Sequence, residues 1–391
     1  MRSGGHSAAG NSMPDGAVVI DLKAMKALEI DLESKTAWAE TGLTAGEYTA
    51  AAGAHGLVTG FGDTASVGLG GLTLGGGVGF LVRKYGLTID DLLAAEIVTA
   101  DGRLLKVDAD HHPDLFWALR GGGGNFGVAT RFQFRLHDLP EIVGGLLFLP
   151  ATTEVVSGFL QAAEAADEEL STILNVMTAP PMPFLPEEAV GRPIVMAFLT
   201  YAGGAEAGDK AVAPFRQLAK PIVDMVRPMT YPEMYMPDEE EYHPVAAGRT
   251  TFIDEISDVT IERILAEISS SPAMMAVSQL RVLGGAMARV PVEATAFGHR
   301  QRKLMATAAA MFERPEEVEK YLPWVKNLMR LYDEDHEKRS YTGFLGDEGQ
   351  DRVRAAYPGE TWERLREVKD RYDPGNLFRH NQNIPPASGN R

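Results

Sequence analysis

SVGLGGLTLGGGVGFLVRKYG, residues 66–86, is the stretch whose reading decides the fold. Ten glycines fall between positions 60 and 86. That density argues against a regular helix or strand, because ordering glycine costs more backbone entropy than ordering any other residue. Bare peptide N–H groups in such a loop can surround a phosphate or pyrophosphate, where side chains would block the approach. One reading is therefore a nucleotide cofactor, and the other is a set of tight turns between short strands. Three further stretches favour the cofactor: RSGGHS at residues 2–7, RGGGGNFGV at 120–128 and NQNIPP at 381–386.

A chain of 391 residues predicts two or three domains by the usual prior of about 100 to 200 residues each. Its 54 acidic and 37 basic residues give a net charge of −17. That is the wrong sign for a nucleic-acid binder, which must displace counterions with a basic surface. No run of about 18 apolar residues is present, and the start has no apolar signal core, so the expected setting is cytoplasmic with no membrane partner. With no cysteine there is no disulfide, thiolate metal site or thiol nucleophile, and redox chemistry must come from a bound cofactor. Met1 is followed at once by RSGGHS, with no strand ahead to hold it. On this reading the chain begins inside a domain.

Working outward, GAVVIDL (16–22) reads as a short buried strand and TAWAE (36–40) as a half-buried one. Thr44 and Glu47 form a capping box ahead of an Ala-rich helix ending near Gly53. AAEIVTADGRLLKV (94–107) reads as a hairpin turning at Asp101-Gly102. PDLFWALR (113–120) starts a helix at proline with Leu115, Phe116 and Leu119 on one face, and VATRFQFRL (128–136) alternates as a strand. The composition shifts near Pro140. Beyond it, strands are expected near 144–149, 173–178, 194–201, 273–283 and 303–312, with helices near 154–169, 205–220 and 260–269 between them. This pattern is an antiparallel sheet with helices on one face, an α+β layering. Residues 315–333 read as a helix bent at Pro323, and 361–371 as a final helix before an irregular tail. PDEEEYHP (237–244) reads as a solvated loop, not a cation site.

GGGNFG (122–127) satisfies GxGxxG, but a helix precedes it and a strand follows, the reverse of a dinucleotide fingerprint. GxxxxGK[ST], GxSxG and HExxH are absent from the sequence. His111 and His112, beside Pro113, read as loop and cap residues, and no metal site is expected. His6 differs, because it follows two glycines in a loop able to lie against a flat ring, and a neutral imidazole can act as a nucleophile.

Taken together, RSGGH (2–6), GLTLGGGVGFLVRKYGLTIDDLLAAEIVTADG (71–102), PDLFWALRGGGGNFGV (113–128) and YDPGNLFRHNQNI (372–384) resemble the FAD-linked oxidases of the berberine bridge enzyme type. These belong to the vanillyl-alcohol oxidase superfamily with its PCMH-type FAD-binding domain. The resemblance implies three segments: an N-terminally incomplete FAD domain (1–140), an inserted substrate domain with a helix-covered antiparallel sheet (141–358), and a C-terminal berberine-bridge-like segment returning to the FAD domain (359–391). It implies FAD as cofactor, with His6 as the position of a covalent bond to the flavin 8α carbon. Such a link withdraws electrons and fixes the ring in place. The matching positions for pyrophosphate and ribityl contacts are Ser3, Gly4, Gly5, Ser7, Gly68, Gly71 and Gly75. The Val98 backbone matches an adenine contact, and Asn381 and Asn383 match positions near the ring.

Three departures from the family pattern stand out. Thr64 occupies the position of the second covalent link, a cysteine in bicovalent members. The unit that usually precedes RSGGHS is not in the sequence. Tyr341-Thr-Gly-Phe344 stands where many members have a roof strand Tyr-x-Asn-Phe/Tyr whose tyrosine takes the substrate proton, and Gly343 replaces the asparagine. A tyrosine ionises near ~10 in water, so a base role calls for a nearby cation, for which Arg339 on the same face of a strand is the sequence candidate.

The implied activity is oxidation of an alcohol or amine carbon of a small molecule, sugar, polyketide or alkaloid-like, by hydride transfer to flavin N5, with Tyr341 as base and oxygen as acceptor. Two other readings stay open at this point: a non-catalytic relative with weak or no flavin binding, and a non-covalent FAD reductase using a nicotinamide donor. The sequence carries no signal for oligomeric state.

Overall fold

A computed structural model describes residues 1–7, 9–236, 245–273, 275–332 and 338–390. The acidic stretch 237–244 lies outside the described residues.

The first layer is built by the short-range signals. β1 (Leu28–Asp31) and β2 (Thr36–Glu40) pair antiparallel. α1 (Ala45–Gly53) is opened by the capping box, with Glu47 N–H donating to Thr44 Oγ1 at 3.2 Å and Thr44 N–H to Glu47 Oε2 at 2.8 Å. Beyond β3 (Leu57–Val58), α2 (Leu69–Gly75) and α3 (Val82–Tyr85), the chain forms the hairpin of β4 (Leu92–Val98) and β5 (Leu104–Asp108). Gly102 turns it at φ +81°. Then come α4 (Pro113–Leu119), β6 (Val128–Arg135) and β7 (His137–Asp138). The sheet order is β1-β2-β6-β4-β5, with β3 and β7 a separate pair.

The second layer is one antiparallel sheet of order β11-β8-β10-β9-β14-β15-β13, with β12 on β8. Its strands are β8 (Ile142–Pro150), β9 (Leu170–Thr178), β10 (Pro193–Tyr201), β11 (Val223–Asp224), β12 (Arg227–Met229), β13 (Val245–Ile253), β14 (Met275–Val282) and β15 (Leu304–Phe312). The helices α5 (Thr153–Ala165), α6 (Ala205–Arg216), α7 (Asp258–Ser269) and, after the short α8 (Ala286–Arg289), α9 (Val318–Arg330) all follow amphipathic stretches. Val156, Phe159, Phe215, Ile264 and Leu328 on four of these helices share one core with Leu147, Val176, Ala197 and Ala306 on the strands. Alternation along the strands turns the other side chains toward the first layer, where Arg281 of β14 reaches Asp63 and Val78.

The chain then returns. α10 (Gln350–Ala355) and α11 (Thr361–Tyr372) place Val353, Trp362, Leu365 and Tyr372 in the core that holds Trp117, Phe126 and Phe132. No helix among the described residues is long and apolar enough to cross a membrane.

Three sequence expectations are corrected. Residues 16–22 form no buried strand: Val18 is 92% and Ile20 43% exposed. Arg2 pairs with the segment through Arg2 N–H to the Ile20 carbonyl and Leu22 N–H to the Arg2 carbonyl, and only Leu22 of its apolar side chains is buried, at 8% exposure. The glycine stretch is not wholly loop, since residues 69–75 form α2. That helix is buried by packing tighter than most side chains meet: a Cβ on Gly70 would sit 3.2 Å from Ser3 Cβ. Tyr341 is not on a strand and instead caps a single 3-10 turn, Thr342–Phe344.

His299 is buried, stacked on Phe252 at 4.5 Å, with Nε2 3.2 Å from the Ala355 carbonyl. Burial pushes its imidazole down to about 4. The unfolded imidazole protonates near ~6.5, so the neutral folded form contributes its full stability above that pH. The contribution is lost as pH falls from ~6.5 toward about 4, a total of ~3 kcal/mol. Melting temperatures of the native protein are expected to fall across this window more steeply than those of His299→Gln. Parallel pH profiles would refute the assignment.

Candidate functional site

A cavity of about 400 Å³ opens where the N-terminal segment, the glycine stretch, the tail and the Tyr341 turn meet. Among its lining residues are Ser3, Gly4, Gly5, His6, Ser7, Gly68, Gly71, Gly75, Tyr341 and Asn381, ten of the positions singled out from sequence. Val98, in β4, and Asn383 are not among them.

The glycines serve two purposes. Gly4 and Gly68 are bare because they touch each other: a Cβ on Gly4 would lie 2.3 Å from Gly68 N. Ser3 fastens this contact by donating from Oγ to the Thr41 carbonyl at 2.5 Å and accepting from Gly70 N–H at 3.3 Å. Gly71 faces open space, and a Cβ there would meet no atom within 4 Å. The close backbone contact thus shapes the cradle, and Gly71 leaves it accessible.

The tail reaches the cavity through a clasp. Asn125 donates from Nδ2 to the Gly122 and Gln382 carbonyls and accepts Ile384 N–H at 3.0 Å. Asn381 Nδ2 donates to the Gly124 and Phe378 carbonyls. Its Oδ1 is buried with no partner among the described residues, so the cavity wall carries an acceptor that a bound polar group can satisfy. Lys369, fully buried on α11, holds the tail by donating to Asp373 Oδ2, the Asn125 carbonyl and the Phe378 carbonyl. Sequence reading flagged both stretches but not the clasp, because its bonds across to the tail join residues 244 to 259 positions apart.

Tyr341 sits in the cavity wall with its ring among Val78, Phe252 and Phe297, and its hydroxyl accepts Gly77 N–H at 3.1 Å. Burial pushes the phenol up, while the Gly77 amide and the Arg281 guanidinium act in the opposite direction. The cation near Tyr341 is therefore Arg281, not Arg339, which points elsewhere and donates to the Phe252 carbonyl at 3.0 Å. Arg281 is itself held by Asp63 at 2.5 Å, Gln279 at 2.8 Å and the Val78 carbonyl at 3.3 Å. The strand near 273–283 was expected, but which charge it would aim at the site was not.

Bare backbone at Gly71, the unpartnered Asn381 Oδ1 and a histidine-bearing wall suit a flat polar cofactor bearing phosphates. FAD fits these residues.

Comparison with known proteins agrees. Residues 1–108 match the family model described as FAD binding domain, and residues 334–385 the one described as berberine and berberine like. The chain is 30% identical to (R)-6-hydroxynicotine oxidase of Paenarthrobacter nicotinovorans, over 99% of this chain and 85% of the relative. It is 27% identical to monolignol oxidoreductase AtBBE-like 13 of Arabidopsis thaliana, over 98% and 78%. Its fold superposes on the crystal structure of 6-hydroxy-D-nicotine oxidase of Arthrobacter nicotinovorans with a TM-score of 0.85 at 27% identity, covering 98% and 85% of the two chains. Xylooligosaccharide oxidase of Myceliophthora thermophila C1 shares the fold with a TM-score of 0.86 at 22% identity, over 99% and 86%.

Proposed function

We propose, from the premise that this chain belongs to the berberine bridge enzyme-like family of FAD-linked oxidoreductases, that it oxidises an alcohol or amine carbon of a small molecule, with oxygen as terminal acceptor. The observation that carries this reading is the convergence of Ser3 to Ser7, Gly68 to Gly77 and Asn381 on one cavity with Tyr341 in its wall. When bound, FAD supplies two-electron acceptance and reoxidation by oxygen.

The remaining work falls to the chain. The segments around Gly4, Gly68 and Gly71, left bare of side chains, would hold the cofactor's phosphates by backbone N–H groups. Asn381 Oδ1, buried and unpartnered among the described residues, would accept a hydrogen bond from a donor of the bound cofactor. Tyr341 takes the proton of the substrate hydroxyl or amine onto its phenolate oxygen, and Arg281 offsets the charge of that phenolate beforehand. Phe297 and Phe344 pack edge-on against the Tyr341 ring and hold it in the wall.

Three probes that carry the substrates named for relatives and neighbours separate the substrate chemistries: 6-hydroxynicotine for an amine carbon, a monolignol for an apolar alcohol and a xylooligosaccharide for a sugar. The flavin-loaded protein is expected to bleach under anaerobic mixing with one of them or a close analogue and recolour in air. Bleaching by a reduced nicotinamide alone would point to the reductase reading instead.

His6 lines the cavity and is exposed along it. It is the position proposed for a single covalent flavin bond, because Thr64, also in the wall, offers no thiol. Acid precipitation of protein expressed with FAD is expected to leave yellow, fluorescent pellet, and His6→Ala to release all flavin to the supernatant. Flavin released equally from both would remove His6 from this role.

A further inference from the structure

Tyr341 differs from the other buried tyrosines in what its hydroxyl does. Tyr235 gives its proton to the Gly62 carbonyl at 3.2 Å and Tyr357 to the Gly121 carbonyl at 3.3 Å. The Tyr341 hydroxyl accepts from Gly77 N–H at 3.1 Å, with the neighbouring Val78 backbone acting in the same sense. Among the described residues its own proton has no protein acceptor, and the side chain borders the cavity. A purely structural buried phenol normally uses both capacities.

Three glycines surround this ring. A Cβ on Gly343 would fall 2.6 Å from Cε1, 2.7 Å from Cζ and 2.9 Å from the hydroxyl oxygen of Tyr341. No real Cβ is tolerated at such distances, so the ring folds back over its own chain only because residue 343 has no side chain. On the opposite side, a Cβ on Gly76 would lie 3.6 Å from Tyr341 Cε2 and 3.0 Å from Phe297 Cδ2. Gly76 and Gly77 have φ of +126° and +77°, a backbone path that L side chains rarely follow. That path is what turns the Gly77 N–H toward the phenol. It is locked from behind by Thr88, whose Oγ1 donates to the Gly60 carbonyl at 2.7 Å and would lie 2.1 Å from a Cβ on Gly77.

We propose that Gly343 and the Gly76-Gly77 turn are the positioning device of the proton acceptor: Gly343 admits the folded-back ring, and the Gly77 amide stabilises the phenolate oxygen that takes the substrate proton. This rests on the reading of Tyr341 as base. The proton balance is simple. The phenol first loses its proton to solvent, the phenolate then accepts one from the substrate hydroxyl or amine, and the amide hydrogen bond favours the charged state throughout. The charged groups facing the ring are Arg281 from β14, which acts in the same sense, and Asp63 from the glycine-rich segment, which acts against it. The pair they form leaves Tyr341 little net charge to rely on, which gives the neutral amide its importance.

The test needs no substrate. The holoprotein is titrated and the phenolate absorbance recorded for the wild type, Tyr341→Phe, Gly343→Ala and the double variant. Subtracting Tyr341→Phe from the wild type isolates one of the 11 tyrosines. That component is expected to move to higher pH by about one unit in Gly343→Ala. An unmoved component would overturn the proposal. With a probe that bleaches the flavin, Gly343→Ala is expected to slow reduction about tenfold in the presence of Tyr341 and not at all in the Tyr341→Phe background. Equal slowing in both backgrounds would assign Gly343 a merely structural role and overturn the device while leaving the base in place. An unchanged reduction rate in Tyr341→Phe itself removes the base and the device together. Where Gly343→Ala melts too low to titrate, adding Tyr341→Leu is expected to restore the melting point. Failure to restore it contradicts the ring contact.

Discussion

Replacing Tyr341 with phenylalanine is expected to slow substrate-driven bleaching of the flavin by ~10² or more, the usual contribution of a positioned acid-base group. The substitution removes one oxygen and little else. The ring packs in an apolar cluster with Val78, Leu283, Phe297 and Met305, all of which accept phenylalanine without a cavity. What is lost is the backbone amide contact from Gly77, assisted by Val78, so the variant is expected to fold and to keep its cofactor. Because burial raises the phenol above its ordinary range, the protonated form predominates at neutral pH. The rate is accordingly expected to climb with pH in the native enzyme and to lose that climb in Tyr341→Phe. Stopped-flow absorbance under anaerobic conditions gives both numbers. A rate and pH profile unaltered by the substitution would exclude Tyr341 as the base.

Lys369→Met is expected to produce the largest loss of stability of the ion-pair substitutions considered. Removing one partner of a fully buried pair costs about 3–5 kcal/mol, because the remaining charge keeps its desolvation penalty. Both Lys369 and Asp373 have side chains at 0% exposure. Asp373 retains Leu377 and Phe378 N–H, but the Asn125 and Phe378 carbonyls lose their common donor. The consequence is functional as well as structural, since the loop that Lys369 closes carries Asn381 to the cavity. Melting with and without added FAD is expected to show a lower midpoint and weaker cofactor retention. Lys210→Met provides the control: the Lys210–Glu206 pair is exposed at 75% and 88%, and such pairs contribute at most ~1 kcal/mol. Equal shifts in the two variants would show that the buried pair does not secure the tail.

Much of the architecture was legible because its signals are local. The Thr44–Glu47 capping box, the Asp101-Gly102 turn, Pro113 at a helix start and the alternation of 128–136 each involve residues within a few positions, and each appears in the structure where expected. The expectations that failed were those about surroundings. Val18 to Ile20 have the composition of a buried strand, yet burial requires a neighbour that local sequence cannot specify. β13, with Gly248 and Arg249 in its middle, weakens its own alternation and is held by pairing with β15.

The sequence alone determined the fold class, the cofactor and the segments that meet around it, because glycine density, turn residues and long family-specific blocks are properties of the chain itself. Only the tertiary structure decided which glycines touch each other and which face the cavity, that Arg281 rather than Arg339 faces Tyr341, and that the tyrosine folds back against Gly343 instead of lying along a strand. Those outcomes depend on distances between residues tens to hundreds of positions apart. Such distances are fixed only when two layers pack against each other, which no local propensity encodes.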